Sequence, residues 1–124
     1  MIKGIGTDLV SILRIEQVLS KHGERFAAKI LGSEEYKQFH LSKRKLNFLA
    51  KRFAAKEATA KALGTGFSKG ISWKDIQLAH NDHGKPELIL TDGALDRFES
   101  LGAEQLLISL SDEASLIIAY VIIE

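Results

Sequence analysis

Two acidic residues, Asp8 and Glu57, stand at positions where a carboxylate could do chemistry. Glu57 lies in the segment predicted as the longest helix, in the middle of the apolar stripe that Phe53 and Ala60 mark at helical spacing. A carboxylate on an apolar face is costly unless it is paired, protonated or bound to a cation. Three interpretations of Glu57 therefore stay open: an ion pair with Lys61, an acid–base group with a raised pKa, or a metal ligand.

Asp8 ends the predicted first strand, behind two glycines. The absence of side chains at Gly4 and Gly6 would let another group approach the backbone closely. Asp is also a common turn or capping residue, so a purely local role stays open. If Asp8 and Glu57 meet, their carboxylates and a few waters form the hard oxygen site that Mg²⁺ prefers beside substrate phosphates.

Basic side chains and a glycine-rich loop indicate where such phosphates would lie. Arg52, Lys56 and Lys61 belong to the predicted long helix, and the loop GTGFSKG at residues 64–70 could present backbone N–H groups. The loop matches neither the Walker nor the dinucleotide-binding pattern, so alone it is a weak signal. Together with the two carboxylates it indicates a metal-assisted reaction on a pyrophosphate, without specifying which reaction.

Composition excludes several other kinds of chemistry. The 124 residues include no Cys, which excludes a disulfide framework, a thiolate metal site and a cysteine nucleophile. The four His residues are scattered without metal-ligand spacing, and we expect them at the surface or in turns. We find no secretory signal and no apolar stretch long enough to span a membrane, so the expected location is the cytoplasm and no membrane partner is expected.

The pattern of apolar and turn residues predicts an α+β fold in a single domain, residues 1–124, with an antiparallel sheet and a long central helix. The predicted element order is βαααββαββ. Ser11 is expected to cap the first helix and Asp92 the last. The predicted strands are residues 2–9, 71–80, 87–91, 105–111 and 115–123, and the predicted helices include 11–22, with helical periodicity continuing to 32, a fresh start at 33, and 43–63.

Charge is distributed unevenly along the chain, and the last strand is apolar on both faces. Residues 1–70 carry a net charge of +8 and residues 71–124 carry −7. This fits either a basic surface for an acidic partner or two halves whose fields cancel in the fold. The run LIIAYVII at residues 116–123 predicts a strand covered on both sides, by helices or by another subunit. A pI near 8.0 and few aromatic residues argue against a nucleic-acid partner.

Two segments resemble one known family. The N-terminal GIGTDLV with the following RIE, and the central FLAKRFAAKEATAKALGTG, are similar to the holo-acyl-carrier-protein synthases. These are the short, single-domain group of the 4′-phosphopantetheinyl transferase superfamily. The similarity extends to GKP at residues 84–86 and to the closing ISLSDEASLIIAYVIIE, and the paired motifs G-x-D and K-E-A-x-x-K are specific at this separation. The resemblance therefore implies the fold of that superfamily.

The resemblance also implies roles for individual residues. Asp8 and Glu57 match the family's metal ligands, and Lys61 matches the lysine that contacts the coenzyme A phosphates. Residues that match the lining of the coenzyme pocket are Arg52, Gly64 and Gly66. Residues that match or extend the basic surface for the acidic carrier protein are Arg14, Lys21 and Arg25. Many relatives carry a His where this chain has Asp112, so no coenzyme contact is carried over to that position.

The activity implied by the resemblance is an Mg²⁺-dependent transfer of 4′-phosphopantetheine from coenzyme A to a serine of an apo acyl carrier protein, in support of fatty acid biosynthesis. The serine proton would go to Glu57 or to a metal-bound water, and 3′,5′-ADP would leave. The family forms homotrimers with active sites between subunits, which would explain the apolar last strand. Two other functions stay open: a non-catalytic homo-oligomeric module that binds a nucleotide or an acidic protein, and an Mg²⁺-dependent pyrophosphate hydrolase.

Overall fold

A long helix, α4 (Lys45–Ala62), lies at the centre of the molecule. Five of its alanines are completely buried, so neighbouring elements approach its backbone closely: Ala50, Ala54, Ala55, Ala58 and Ala60. None of the helices combines the length and apolarity needed to span a membrane. The computed structural model describes residues 1–124, and the other elements are β1 (Gly4–Ser11), α1 (Ile12–His22), α2 (Glu24–Ile30), α3 (Ser33–Leu41), β2 (Ile76–His80), β3 (Pro86–Leu90), α5 (Asp92–Ser100), β4 (Leu106–Glu113) and β5 (Leu116–Ile123).

The five strands form two antiparallel sheets. The larger sheet has the order β1–β5–β4, and the smaller one pairs β2 with β3. In the larger sheet Asp8 of β1 lies opposite Ala119 of β5. Helix α4 packs against both β1 and β5, which places it across the inner face of this sheet. The α+β fold with antiparallel sheets and a long central helix is therefore confirmed.

Alternate residues of β5 face opposite sides of the larger sheet. The inward set is completely buried under α4: Ile117, Ala119, Val121 and Ile123. The outward set includes residues that are between 40% and 46% exposed: Leu116, Ile118 and Tyr120. Within a single chain, only one of the two apolar faces of this strand is therefore covered.

Two glycines set the distance between β1 and α4. A methyl group at position 4 would collide with the carbonyl oxygen of Ala62, and one at position 6 would collide with the carbonyl oxygen of Ala58. The group that approaches the strand so closely is therefore the backbone of the central helix. This contact fixes where Asp8, two residues beyond Gly6, lies relative to the helix.

We expect the replacement Gly6→Ala to lower the free energy of unfolding by about 1–3 kcal/mol, because the added methyl group overpacks a contact between two backbones. Urea-induced unfolding at fixed protein concentration measures the change. The control is Thr7→Ala on the exposed side of the same strand, for which we expect a change of about 0.5 kcal/mol. Equal effects of the two replacements would contradict the close packing at Gly6.

A buried ion pair ties α4 to the elements around it. The Nζ of Lys56 donates to Oε1 of Glu35 at 2.6 Å and to the carbonyl oxygens of Ile30 at 2.8 Å and Trp73 at 3.1 Å. Glu35 also accepts from two backbone N–H groups, one of them that of Leu78 on β2 at 3.0 Å. Burial lowers the pKa of Lys56, and the Glu35 carboxylate opposes that shift. The pair thus connects α4 with α3 and the smaller sheet.

Helix α1 begins where the sequence predicts, because the Ser11 side chain accepts a hydrogen bond from the N–H of Arg14 at 3.4 Å. The predicted number of helices between β1 and β2 is wrong. There are four rather than three, because Gly23, with a φ of +63°, separates α1 from α2. The residue in the left-handed region ends one helix and redirects the chain into the next.

The predicted strand at residues 71–80 is also wrong over its first half. The Asp75 carboxylate accepts hydrogen bonds from the N–H and the hydroxyl of Ser72 at 3.1 and 2.9 Å, which closes a 3₁₀ turn before β2 begins. The cap of α5 is displaced by one residue as well. Thr91 precedes the helix, and Asp92 is its first residue.

Candidate active site

Asp8 and Glu57 line one cavity of about 300 Å³ between β1, α1 and α4. Burial raises the pKa of Glu57, the Asp8 carboxylate raises it further, and Lys61 opposes the shift. The repulsion between the two carboxylates shows that they are within electrostatic reach of each other. The packing of β1 on α4 therefore brings together the two acidic residues that the sequence singled out.

Lys61 pairs with Asp8 rather than with Glu57. Its Nζ lies 3.1 Å from Oδ1 of Asp8 and 3.1 Å from the carbonyl oxygen of Thr7. The interpretation of Glu57 as the partner of an i,i+4 ion pair is therefore wrong. The physical reason is that β1 lies directly against this part of α4, so the lysine side chain reaches the strand instead of the preceding helical turn.

Glu57 is half-buried, whereas the sequence placed it in the middle of a buried apolar stripe. The face of α4 that carries Phe53 and Glu57 is the partly open one, and the alanines on the other sides are completely buried. Small residues mark the sides of α4 that touch other elements because close packing requires them. The partly open face borders the cavity, so Glu57 is accessible to a ligand.

The donor set at this cavity fits a magnesium ion. Asp8 and Glu57 are hard oxygen donors, and Mg²⁺ commonly binds through one or two carboxylates and fills its other positions with water and substrate phosphates. No group of three or more acidic, His or Cys side chains forms a metal cage. The site therefore lacks the three or more protein ligands that zinc or calcium usually requires, whereas two carboxylates are enough for Mg²⁺.

Apolar side chains and one arginine complete the wall of the cavity. Ile15 and Val18 of α1 face Phe26 and Phe53, and Arg14 lies at the same cavity as the two carboxylates. A second hollow in the neighbouring surface, of about 490 Å³, shares Val18 and Phe26 and is lined by basic residues: His22, Arg25 and Lys29. Lys21 is exposed on α1 and lines neither hollow.

The structure separates the basic residues that the sequence grouped on the phosphate side. Lys56 is fully buried in its pair with Glu35, so its predicted place beside a phosphate is wrong. Arg52 is 6% exposed, and its guanidinium lies 3.7 Å from the ring centre of Phe48. The buried Nε of Arg52 has no hydrogen-bond partner within the chain, and Arg52 does not line the carboxylate cavity. Of these three residues, only Lys61 contacts one of the two carboxylates, that of Asp8.

The glycine loop, residues 64–70, follows the last turn of α4. Gly64 and Gly66 have φ values of +79° and +58°, which favour glycine. Their N–H groups already donate to the carbonyl oxygens of Lys61 at 3.0 Å and Ala60 at 3.1 Å. These two amides therefore close the helix and are not free for a phosphate. Any contribution of the two glycines to binding comes from the shape of the loop.

A larger hollow, of about 720 Å³, lies between α3 and α4 along residues 40–47. It is lined by Lys43, Arg44 and Lys45 and contains no acidic residue. It cannot hold a divalent cation, so its size does not make it the metal site. The smaller cavity with Asp8 and Glu57 remains the candidate.

Comparisons with known proteins show which sequences this chain resembles. Residues 4–121 match the model of the 4′-phosphopantetheinyl transferase superfamily. The holo-acyl-carrier-protein synthase of Vibrio cholerae is 48% identical, with 100% of this chain and 98% of the relative covered. That of Halorhodospira halophila is 46% identical, over 99% of this chain and 98% of the relative.

Solved structures show the same fold. The holo-acyl-carrier-protein synthase of Neisseria meningitidis superposes with a TM-score of 0.93 at 44% identity, covering 100% of this chain and 99% of that one. The Helicobacter pylori enzyme, in complex with coenzyme A, has a TM-score of 0.83 at 32% identity, over 97% and 99% of the two chains. The likeness thus extends over the whole length of both partners.

Proposed function

The chain belongs to the 4′-phosphopantetheinyl transferase superfamily, and we propose that it transfers the 4′-phosphopantetheine group of coenzyme A to a serine of an apo acyl carrier protein. The products are the holo carrier and 3′,5′-ADP, and the reaction supports fatty acid biosynthesis in the cytoplasm. One observation carries the proposal: Asp8 and Glu57 line a single cavity with Lys61 beside them. The end-to-end similarity to holo-acyl-carrier-protein synthases selects this reaction among those that act on a pyrophosphate.

Asp8 and Glu57 would hold a magnesium ion, which when bound would neutralise charge on the coenzyme A pyrophosphate. The carrier serine forms a bond from its Oγ to the β-phosphorus, and the bond from that phosphorus to the bridging oxygen of the pyrophosphate breaks. The serine proton goes to the Glu57 carboxylate or to water in the cavity. The ammonium group of Lys61, held beside Asp8, faces the negative charge that develops on the departing 3′,5′-ADP.

Binding of the coenzyme also involves Arg52 and the glycine loop. The unpartnered Nε of Arg52 supports a role as donor to an oxygen of the coenzyme, because a buried donor without an acceptor is costly. Gly64 and Gly66 shape the loop next to Lys61 through their positive φ values. These assignments follow the family resemblance, and the structure supplies the physical reasons that support them.

The active unit is a homotrimer with active sites between subunits. The outward face of the larger sheet supports this, because large apolar residues on it remain exposed: Ile5, Leu9, Ile118 and Tyr120. Soluble single chains seldom leave such a contiguous apolar face open to water. A second subunit would cover the face of β5 that the chain itself does not cover.

The carrier protein docks on the basic residues of α1 and the start of α2: Arg14, Lys21 and Arg25. We expect Arg14→Glu to raise KM for the carrier by about tenfold, because an acidic partner would meet a like charge beside the carboxylate cavity. KM for coenzyme A should stay nearly constant. Steady-state kinetics with each substrate varied in turn measures both values.

The matched control for Arg14→Glu is Lys37→Glu, which makes the same charge change on the exposed side of α3. It should leave KM for the carrier close to the wild-type value. If the Arg14→Glu variant and the wild type have the same KM for the carrier, Arg14 is not part of the docking surface.

The transfer itself is tested by incubating the protein with apo carrier, coenzyme A and Mg²⁺ and then measuring the carrier mass and the small-molecule products. A carrier that gains the mass of phosphopantetheine, with matching release of 3′,5′-ADP, supports the proposal. Release of the nucleotide without a change in carrier mass would instead identify a pyrophosphate hydrolase. If neither a modified carrier nor released nucleotide is found, the result would favour the non-catalytic binding module.

A further inference from the structure

Helix α5 holds both ends of the glycine loop. The Nε–H of Arg97 donates to the carbonyl oxygen of Leu63 at 2.9 Å, directly before the loop. At the other end, the carbonyl oxygen of Gly70 lies so close to Gly93 that a methyl group there would collide with it. Gly93 and Arg97 are four residues apart and therefore lie on the same side of α5. One face of this helix thus contacts residues 63 and 70.

The contact of Arg97 completes the C-terminal end of α4. The last carbonyl groups of a helix lack intrahelical partners and must find other donors. Leu63, Gly64 and Gly66 donate their N–H groups to carbonyls of the last turn. The carbonyl of Leu63 itself is bonded by the Arg97 side chain, 34 residues further along the chain. A cation at a helix C-terminus also interacts favourably with the helix dipole.

Arg97 is the side chain nearest to the first glycine of the loop. A guanidinium nitrogen lies 3.5 Å from the position that a Cβ of Gly64 would occupy. The middle of the loop is held separately, because the Phe67 ring stacks on Trp73 with 3.8 Å between their centres. The loop is therefore fixed at its start by Arg97, in its middle by Trp73 and at its end by Gly93.

We propose that Arg97 is a positioning residue for coenzyme binding: by bonding the carbonyl of Leu63 it holds the glycine loop in the shape that receives the coenzyme. The inference rests on the proposed role of Gly64 and Gly66 in binding coenzyme A. Since their amides are used inside the chain, these two glycines contribute through the conformation of the loop, which Arg97 fixes. Arg97 acts from outside the carboxylate cavity and leaves the carrier surface untouched.

The test compares the wild type with Arg97→Ala, Arg97→Lys and the control Asp96→Ala, an exposed neighbour on α5. Calorimetry gives Kd for 3′,5′-ADP, and steady-state kinetics gives KM for coenzyme A, KM for the carrier and kcat. Limited trypsin digestion followed by mass analysis gives the rate of cleavage after Lys69, an exposed residue of the loop. This last readout reports loop order without depending on activity.

Arg97→Ala should raise Kd for 3′,5′-ADP and KM for coenzyme A by about tenfold, since a charge-assisted hydrogen bond no longer holds the loop. KM for the carrier should stay within about twofold of the wild type, and cleavage after Lys69 should become faster. Arg97→Lys should recover most of the affinity, because its ammonium can still donate to Leu63. Asp96→Ala should match the wild type in all readouts.

Three results would overturn the inference. One is faster cleavage in Arg97→Ala with an unchanged Kd, which would separate loop order from coenzyme binding. A second is an equal loss of affinity for the coenzyme and the carrier, without recovery in Arg97→Lys, which would indicate general destabilisation. The third is no change in any readout. All three leave the transfer reaction standing, whereas a wild type that neither binds 3′,5′-ADP nor modifies a carrier would overturn the proposed function as well.

Discussion

Replacing Glu57 by Gln should reduce the rate of phosphopantetheine transfer by about 10²- to 10³-fold, the loss that follows removal of one preorganised electrostatic group from an active site. The amide keeps the size of the side chain but removes the negative charge that would hold Mg²⁺. It also removes a partly buried charge and the repulsion of that charge by Asp8, the two effects that raise the pKa of Glu57. The fold should therefore be kept. The measurement is kcat for carrier modification at saturating Mg²⁺.

The control for Glu57→Gln is Glu99→Gln, the same change at an exposed position on α5. It should show the wild-type rate. Circular dichroism and urea-induced unfolding should show that the Glu57→Gln variant is folded. Turnover near the wild-type rate in the Glu57→Gln variant would contradict the role of Glu57 as a metal ligand. Glu57 would then have only a structural role.

Replacing Lys56 by Met should lower the free energy of unfolding by about 3–5 kcal/mol, because the Glu35 carboxylate would remain buried without its cation. Both side chains are almost completely buried, with Lys56 0% and Glu35 2% exposed. This loss is a large part of the roughly 5–15 kcal/mol that stabilises a typical domain. Urea-induced unfolding at fixed protein concentration measures it, since assembly of subunits would add a concentration-dependent contribution.

Two further variants separate the charge from the packing at this pair. Lys37→Met on the exposed side of α3 should change the free energy of unfolding by less than about 0.5 kcal/mol. Adding Glu35→Gln to Lys56→Met should recover part of the loss, because no unpaired charge then remains. Full stability in the single variant Lys56→Met would contradict the ion pair as a structural element of the core.

Much of the site could be predicted because its residues carry local signals. The two glycines before Asp8 indicated a close approach, and the approaching group is the backbone of α4. Glu57 stood out by its place among apolar and small residues, and burial does raise its pKa. The cap at Ser11, the end of α4 before Gly64 and the final hairpin likewise depend on neighbouring residues.

The misplaced residues depend on contacts that are distant in sequence. In the sequence, nothing distinguishes Lys56 from the other lysines of α4. Its partner, the Glu35 carboxylate, lies 21 residues earlier and comes into contact with it only in the fold. Lys61 turns to Asp8 because β1 lies beside it, a neighbour that helical spacing alone cannot indicate. The alanines around Lys56 were the one available signal, since small residues mark a helix side that packs closely.

The exposed apolar face of β5 shows a different limit on what can be predicted from the sequence of one chain. Alternating burial along the strand follows from its pairing with β1 and β4 and from the helix on one side. The sequence indicates that both faces are apolar, and the fold of one chain covers only one of them. What covers the outward face depends on a second molecule, so it is a matter of assembly rather than of this chain's fold.

The most direct test of the account is the mass of an apo carrier protein after incubation with coenzyme A and this protein, with Mg²⁺ present or removed by a chelator. The wild type should add the mass of phosphopantetheine only when Mg²⁺ is present. The Asp8→Asn and Glu57→Gln variants, shown to be folded, should add none in the same time. An equal mass gain without Mg²⁺, or in both variants, would contradict a metal held by Asp8 and Glu57 as the basis of the reaction.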